Sequence, residues 1–128
     1  MKYLLDTHAL LWILEDNENL SHKVKRIYLN NANQIFLSVV SLWEMTIKIS
    51  LNKLSLSERL EKFVDRHVIG NNIRLLNVTA EHIYPVETFA SYHRDPFERL
   101  LISQSMKENI PIISKDDAFD KYPIKRIW

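Results

Sequence analysis

The segment that most constrains the fold is the first one, where an apolar run ends abruptly in a carboxylate. The run Tyr3-Leu4-Leu5 has no polar alternation and is followed at once by Asp6 and Thr7. A strand that is buried on both faces has this pattern, and such strands are typical of parallel sheets covered by helices on both sides. Ligands of open parallel sheets bind just beyond the carboxyl ends of the strands. We therefore expect Asp6 to stand at a ligand-binding edge.

Similar apolar segments recur along the chain and alternate with helical patterns. Further strands are predicted at 34–40, 73–78, 111–114 and 124–127. Helices are predicted to follow Asp6, Ser21, Ser57 and Thr79, and to begin at Ser41 and Pro96. Gly70-Asn71-Asn72 is a candidate left-handed stop between the fourth helix and the third strand. The alternation predicts a single α/β domain over residues 1–128, a three-layer α/β/α sandwich with a central, mostly parallel sheet of four to five strands.

Composition excludes several classes of site and predicts a cytoplasmic protein. The chain has 17 Lys and Arg against 16 Asp and Glu, so its bulk charge gives no support for nucleic-acid binding. It contains no cysteine, and its single glycine, Gly70, rules out Gly-rich phosphate loops. No apolar segment reaches the ~20 residues of a membrane span. Asp6 interrupts any apolar core that a signal peptide would need.

Carboxylates follow three of the predicted strands. Asp6 follows the first strand, Glu44 the second and Asp116 the fourth, while Asp95 opens the helix that leads into the fourth. On one sheet edge these four groups repel one another, and a hard divalent cation such as Mg²⁺ or Mn²⁺ would neutralise them. A metal held by carboxylates also binds phosphate oxygens and activates water. The pattern therefore predicts metal-dependent hydrolysis of a phosphodiester.

Each acid also has a plain structural interpretation, which the sequence leaves open. Asp6 is placed to cap the following helix through the amide of His8 or Ala9. Asp116 is a turn-forming residue, and Asp117 beside it weakens the assignment of either one.

The other two acids lie in patterns that resemble capping boxes. Ser41 with Glu44 matches the Ser-x-x-Glu pattern of a helix start. Asp95-Pro96 with Glu98 three residues on is a second strong helix start. For Asp95 the capping and catalytic roles are compatible, because a helix N-terminus at the sheet edge presents its acid to the crevice.

Other chemistries have less support. The histidines lack the spacing of zinc ligands. His8 is a candidate to face the crevice, although a packed or surface histidine is the commoner case. His93 and Arg94 are candidates for phosphate contact beside Asp95. A haloacid-dehalogenase-like phosphatase would need an aspartate where this chain has His8, and a receiver domain would need one after strand 73–78.

Four segments in register resemble the PIN domain family, and the closest likeness is to the VapC-like toxins of prokaryotic toxin–antitoxin pairs. The segments are Leu4-Leu5-Asp6-Thr7-His8, Ser41-Leu42-Trp43-Glu44, His93-Arg94-Asp95-Pro96-Phe97-Glu98-Arg99-Leu100-Leu101-Ile102 and Ile113-Ser114-Lys115-Asp116. Each motif alone is weak, whereas four in the right order are specific. The resemblance implies a Mg²⁺- or Mn²⁺-dependent endoribonuclease that is often dimeric and is inhibited by a partner antitoxin.

The resemblance also implies roles for individual residues. The acidic site would comprise Asp6, Glu44, Asp95 and Asp116, with Thr7 and Ser114 as hydroxyl supports for the first and the last. Members with the Asp-Pro-Phe element usually carry a second aspartate where this chain has Glu98. Glu98 is therefore an alternate metal ligand beside Asp6, Asp95 and Asp116. Which of Asp95 and Glu98 is the inner ligand stays open.

RNA contact should use a local basic rim, since the net charge is only +1. The candidates are Lys48, Arg94, Arg99 and Lys115, although a solvated surface is the commoner place for such residues. Trp12, Trp43 and Trp128 are equally compatible with core and with an interface. The alternative function is a PIN-like module with a weak or inactive site that binds RNA or protein.

Overall fold

A five-stranded parallel sheet forms the centre of the protein, in a computed structural model that describes residues 1–92 and 94–128. The strand order is β3-β2-β1-β4-β5, and each of the four neighbouring pairs is parallel. The strands are β1 Lys2–Leu5, β2 Gln34–Ser38, β3 Arg74–Leu76, β4 Ile112–Ile113 and β5 Arg126–Ile127. In the register of the sheet, Leu4 of β1 lies between Phe36 of β2 and Ile112 of β4.

Six α-helices connect the strands within the described residues. They are α1 Thr7–Glu15, α2 His22–Leu29, α3 Val39–Ser50, α4 Leu60–Phe63, α5 Ala80–Ile83 and α6 Pro96–Glu108. Helix α4 continues as a π-helical segment, Val64–Val68, and a short 3-10 turn, Ile69–Asn71. Two further 3-10 segments span Tyr84–Thr88 and Asp117–Lys121. Across the described residues, every helix is too short or too polar to cross a membrane.

Apolar side chains cover both faces of the sheet and form two separate cores. Leu5 of β1 packs with α1, α2 and α4 in the first core, and Leu4, which points the opposite way, packs with α6 in the second. Alternate side chains of a strand point to opposite faces. The uninterrupted apolar run of β1 is therefore required by helices on both sides, and the predicted α/β/α class is confirmed.

The junction of β2 and α3 differs from the sequence prediction. Strand β2 ends at Ser38, and α3 begins at Val39 rather than at Ser41. Ser38 is the N-cap, because its hydroxyl oxygen accepts a hydrogen bond from the amide of Val40 at 3.0 Å. Two β-branched residues extended the apparent strand, but Val40 packs into the second core as part of the helix. The predicted capping box of Ser41 and Glu44 is wrong, and Glu44 lies in the second turn of α3.

The boundaries of the other helices and strands differ less from the predicted ones. Strands β3, β4 and β5 are shorter than predicted, and α4 begins at Leu60, later than the position after Ser57. The left-handed stop falls on Asn72, with φ of 60°, whereas Gly70 has no positive φ. Asn tolerates this conformation through local hydrogen bonding of its short side chain.

The two serines of the β2–α3 junction give a matched test. We expect Ser38→Ala to lower the free energy of unfolding by about 1 kcal/mol, because it removes the N-cap of α3. Among the described residues, the buried Ser41 hydroxyl has no hydrogen-bond partner, so Ser41→Ala should be neutral or stabilising. Urea unfolding of the three proteins measures both effects. The reverse order of stabilities would restore Ser41 as the cap.

Candidate active site

The acids meet where the connection order of the sheet reverses. From β1 the chain adds β2 and β3 on one side and then returns to place β4 and β5 on the other. The crevice outside such a reversal is the usual ligand site of an open α/β sheet. Asp6 follows β1 and Asp116 follows β4. The amide of Asp6 donates to the carbonyl of Ile113 at 3.1 Å, so the two strand ends are held side by side.

Asp6 is fixed through both of its carboxylate oxygens. Its Oδ1 accepts a hydrogen bond from the amide of Ala9 at 2.7 Å, and its Oδ2 accepts one from the hydroxyl of Ser114. The Ser114 oxygen in turn accepts a hydrogen bond from the amide of Asp116 at 3.0 Å. Burial raises the pKa of Asp6, although the bonds from Ser114 and Ala9 oppose that shift. Ser114 therefore connects the first and last acids.

Three of the aspartates are N-caps as well as members of the cluster. Asp6 caps α1, Asp95 caps α6, and Asp116 caps the 3-10 segment Asp117–Lys121. In each case Oδ1 accepts the capping hydrogen bond. Capping and a place in the cluster therefore coexist, because the positive ends of the helix dipoles stabilise negative charge at this edge.

Glu44 reaches the site from α3 and is only 7% exposed. Its Oε1 accepts a hydrogen bond from the hydroxyl of Thr7 at 2.7 Å, and its Oε2 pairs with the ammonium of Lys48 at 2.7 Å. Thr7 thus supports Glu44, whereas the sequence analysis assigned it to Asp6. Lys48 was expected on the RNA-binding rim. It lies instead one helical turn after Glu44, pairs with that carboxylate, and offsets part of the cluster's charge.

The charge of every other acid of the cluster affects the pKa of Glu98. Burial, followed by the charges of Asp95, Asp116, Asp6 and Glu44 in that order, raises the pKa of Glu98 from its usual 4.5 to about 8. A carboxyl responds in this way when it leaves water and faces negative neighbours. The structure therefore brings the five sequence-predicted acids into one electrostatic cluster.

A cleft of about 320 Å³ opens onto this cluster. The lining residues are Asp6, His8, Trp12, Glu98, Lys115 and Asp116. A larger hollow of about 800 Å³ lies near the amino ends of β2 and β3, and its described lining contains no carboxylate. The smaller cleft is therefore the candidate active site. Trp12 was not among the predicted site residues, although it stands four residues after His8, which is the spacing that puts two side chains on one helix face.

The basic residues are distributed unevenly around the cleft. Lys115 lines it, whereas Lys48 is bound to Glu44. The guanidinium of Arg99 donates to the backbone carbonyls of Val86 and Phe89, at 3.1 and 3.4 Å, and so braces the segment before α6. Arg94 is exposed beside Asp95. His93 lies outside the described residues.

The donor set suits a hard divalent cation. The acids supply only oxygen ligands, which Mg²⁺ and Mn²⁺ prefer. Asp6, Glu98 and Asp116 line the cleft, and Asp95 caps the helix that carries Glu98. Within residues 1–92 and 94–128, no three acidic, His or Cys side chains are already arranged as ligands. Glu44 is held by Thr7 and Lys48. The arrangement fits a metal that completes its shell with water and substrate oxygens.

The protein is an α/β protein with a five-stranded parallel sheet and an acid-lined cleft at its edge. Comparison with known proteins identifies its family. The PIN domain family model matches residues 3–125, so the chain belongs to the PIN domain family. The match confirms the resemblance drawn from the sequence motifs. Comparison with curated proteins finds no significant sequence match.

Solved structures share the fold at low sequence identity. VapBC2 from Rickettsia felis, bound to a DNA fragment from its promoter, is similar with a TM-score of 0.71 and 16% identity over 100% of this chain and 99% of that chain. DNA-bound VapBC from Salmonella typhimurium gives 0.70 and 16%, covering 100% and 97%. FitAcB from Neisseria gonorrhoeae gives 0.67 and 12%, covering 98% and 96%. At these identities the likeness establishes the fold alone.

The raised pKa of Glu98 predicts how stability depends on pH without divalent metal. Between pH 4.5 and about 8 the folded protein holds a proton on Glu98 that the unfolded chain has released. Stability should therefore fall as pH rises through this range, by at most about 1.4 kcal/mol per pH unit from this group. Glu98→Gln removes the titrating group, so the advantage of the variant over the parent should grow from pH 4.5 to 8.

Urea unfolding in EDTA at several pH values measures this difference. Glu61→Gln, an exposed position of α4, is the control and should follow the parent. A constant difference between Glu98→Gln and the parent across the range would contradict the electrostatic cluster.

Proposed function

We propose that this PIN domain is a Mg²⁺- or Mn²⁺-dependent endoribonuclease that hydrolyses RNA phosphodiester bonds. The observation that supports it most is the convergence of Asp6, Asp116, Glu98, Asp95 and Glu44 at the reversal point of the sheet. Asp6 and Glu44 are buried and the other three acids are half-buried, and clustered carboxylates withdrawn from water destabilise a fold unless a cation balances them. Such a cation binds the oxygens of a phosphodiester and activates it for hydrolysis.

The residues of the cleft have distinct tasks in this proposal. Asp6, Asp95, Glu98 and Asp116 would hold the metal, which when bound supplies charge to the phosphate and lowers the pKa of a water. Ser114 orients Asp6, because its hydroxyl donates to Oδ2. Because its pKa is raised to about 8, Glu98 would give up a proton on holding a cation, and cation binding would then be coupled to pH. Glu44, held by Thr7 and Lys48, adds negative charge behind the ligands.

The resemblance to VapC-like toxins adds a partner to the proposal. The similar solved structures are of VapBC complexes and of FitAcB. We propose that the chain is the toxin of a toxin–antitoxin pair, acts in the cytoplasm as a homodimer, and is held inactive by a cognate antitoxin protein. A protein that co-purifies with the tagged chain and suppresses its RNA cleavage would support the antitoxin partner, whereas a co-purifying protein without effect on cleavage would not.

Asp6→Asn is the direct test of the site. We expect the parent to bind Mn²⁺ in calorimetric titration and to cleave single-stranded RNA in Mg²⁺ but not in EDTA. Asp6→Asn should weaken metal binding and cleavage by about 100-fold or more, because it neutralises the acid that Ala9 and Ser114 hold in place. Asp65→Asn, at an exposed position of the π-helical segment, is the matched control and should behave as the parent.

Two results would contradict the proposal. Cleavage that survives EDTA, or an Asp6→Asn protein with full activity, would remove the metal site from the mechanism. A parent that binds Mn²⁺ and RNA but does not cleave any RNA would favour the alternative, a PIN-like binding module with an inactive site.

A further inference from the structure

We propose that Trp12 forms the wall of a nucleobase subsite, on which one unpaired base of the RNA stacks while Lys115 contacts an adjacent phosphate. This inference rests on the proposed nuclease function and deepens it, because it names a residue that binds the RNA and the part of the nucleotide that this residue contacts. The observation behind it is that one cleft is lined both by the acids and by an aromatic and cationic wall.

Trp12 is placed by α1, whose N-cap is Asp6. The helix therefore ties the indole to the metal-site carboxylate at a fixed distance along one rigid element. Trp12 belongs to neither of the apolar cores formed by the described residues and lines the cleft instead. A large aromatic side chain that is half-buried at a site, yet outside the core, is available to a ligand.

Neighbouring rings hold the indole in position. Trp128 meets it edge-on, with ring centroids 5.7 Å apart and an interplanar angle of 61°. The ring of His8 lies 5.9 Å away at 44°, and His8 also lines the cleft. A stacking surface that is ordered before the ligand arrives loses less conformational entropy on binding.

Lys115 supplies the charge that the wall needs. Its ammonium lies over the Trp12 ring, 5.7 Å from the centroid, and 3.4 Å from the side-chain oxygen of Asn19. Both contacts are long and exposed, so the ammonium can turn to a phosphate at little cost. The combination of an aromatic face and a cation beside a backbone path is the usual composition of a single-strand binding site.

The floor of the cleft explains why a stacking wall is required. The carboxylates of Asp6 and Asp116 repel phosphate unless a cation is present. Affinity for RNA must therefore come in part from contacts that carry no negative charge, and base stacking is such a contact. A paired base inside a duplex is already stacked on its neighbours and does not offer its face. The volume of about 320 Å³ is at the lower end of small-ligand pockets and suits one nucleotide.

The test separates stacking from catalysis. On a single-stranded RNA oligonucleotide whose cleavage position has been mapped with the parent, Trp12→Leu should raise KM about tenfold and leave kcat within a few-fold. Trp12→Phe should keep most of the affinity, since it retains an aromatic face. Tyr84→Leu, an exposed aromatic outside the cleft, is the matched control and should leave both constants unchanged.

Abasic substrates identify the base. One abasic nucleotide at the stacked position should raise KM for the parent about as much as Trp12→Leu does, and it should have little further effect on Trp12→Leu. Additive effects of the two changes would overturn the subsite, as would an unchanged KM for Trp12→Leu. An equal loss in Trp12→Phe and Trp12→Leu would assign Trp12 a packing role and would also overturn it.

A binding measurement without cleavage keeps this outcome distinct from failure of the nuclease proposal. In the Asp6→Asn background, which removes one repelling charge, anisotropy of a fluorescently labelled oligoadenylate reports affinity. Adding Trp12→Leu should weaken binding about tenfold, whereas adding Trp12→Phe should not. If the parent does not cleave but this pattern holds, the subsite stands and the nuclease fails. If the parent cleaves and the pattern is absent, the subsite fails alone.

Discussion

Repulsion among buried and half-buried carboxylates is the constraint on which the rest of this structure depends. Two unit charges 4 Å apart repel by about 4 kcal/mol at an effective dielectric constant of about 20. Glu98 shows this repulsion, since burial and then the charges of four other acids raise its pKa to about 8. A fold that places such a cluster at its edge gives up stability there. The proposed binding of a hard divalent cation would recover that stability.

The surrounding structure makes the cluster tolerable before any cation arrives. Three aspartates cap helical segments, and those capping bonds satisfy one oxygen of each. The Ser114 hydroxyl satisfies the second oxygen of Asp6, and Lys48 neutralises Glu44 in an ion pair. In the free protein the carboxylate charges are therefore stabilised in part by helix ends, one hydroxyl and one ammonium. A bound metal would stabilise them further. The site is built mainly from local backbone geometry at strand ends, and this explains why short motifs in the sequence mark it.

The sequence predicted the features that local patterns determine and failed where tertiary contacts decide. An apolar run that ends in Asp6 is enough to place that acid at the edge of a parallel sheet. Asp95-Pro96 likewise marks a helix start on its own. The start of α3 was predicted late, because Val39 and Val40 have strand-like side chains and only packing in the second core makes them helical. The ion pair of Lys48 and the position of Trp12 in the cleft depend on how α1 and α3 approach the sheet, which periodicity does not encode.

A crystal of the protein soaked in Mn²⁺ tests directly whether the clustered acids hold a divalent cation, because the anomalous signal of manganese locates the ion. We expect an anomalous manganese peak in the cleft, within about 2.5 Å of carboxylate oxygens that include one from Asp6, with water completing the coordination shell. The contrary result is manganese bound elsewhere at millimolar concentration, with none in the cleft. The acids would then be clustered for a reason other than binding a divalent cation.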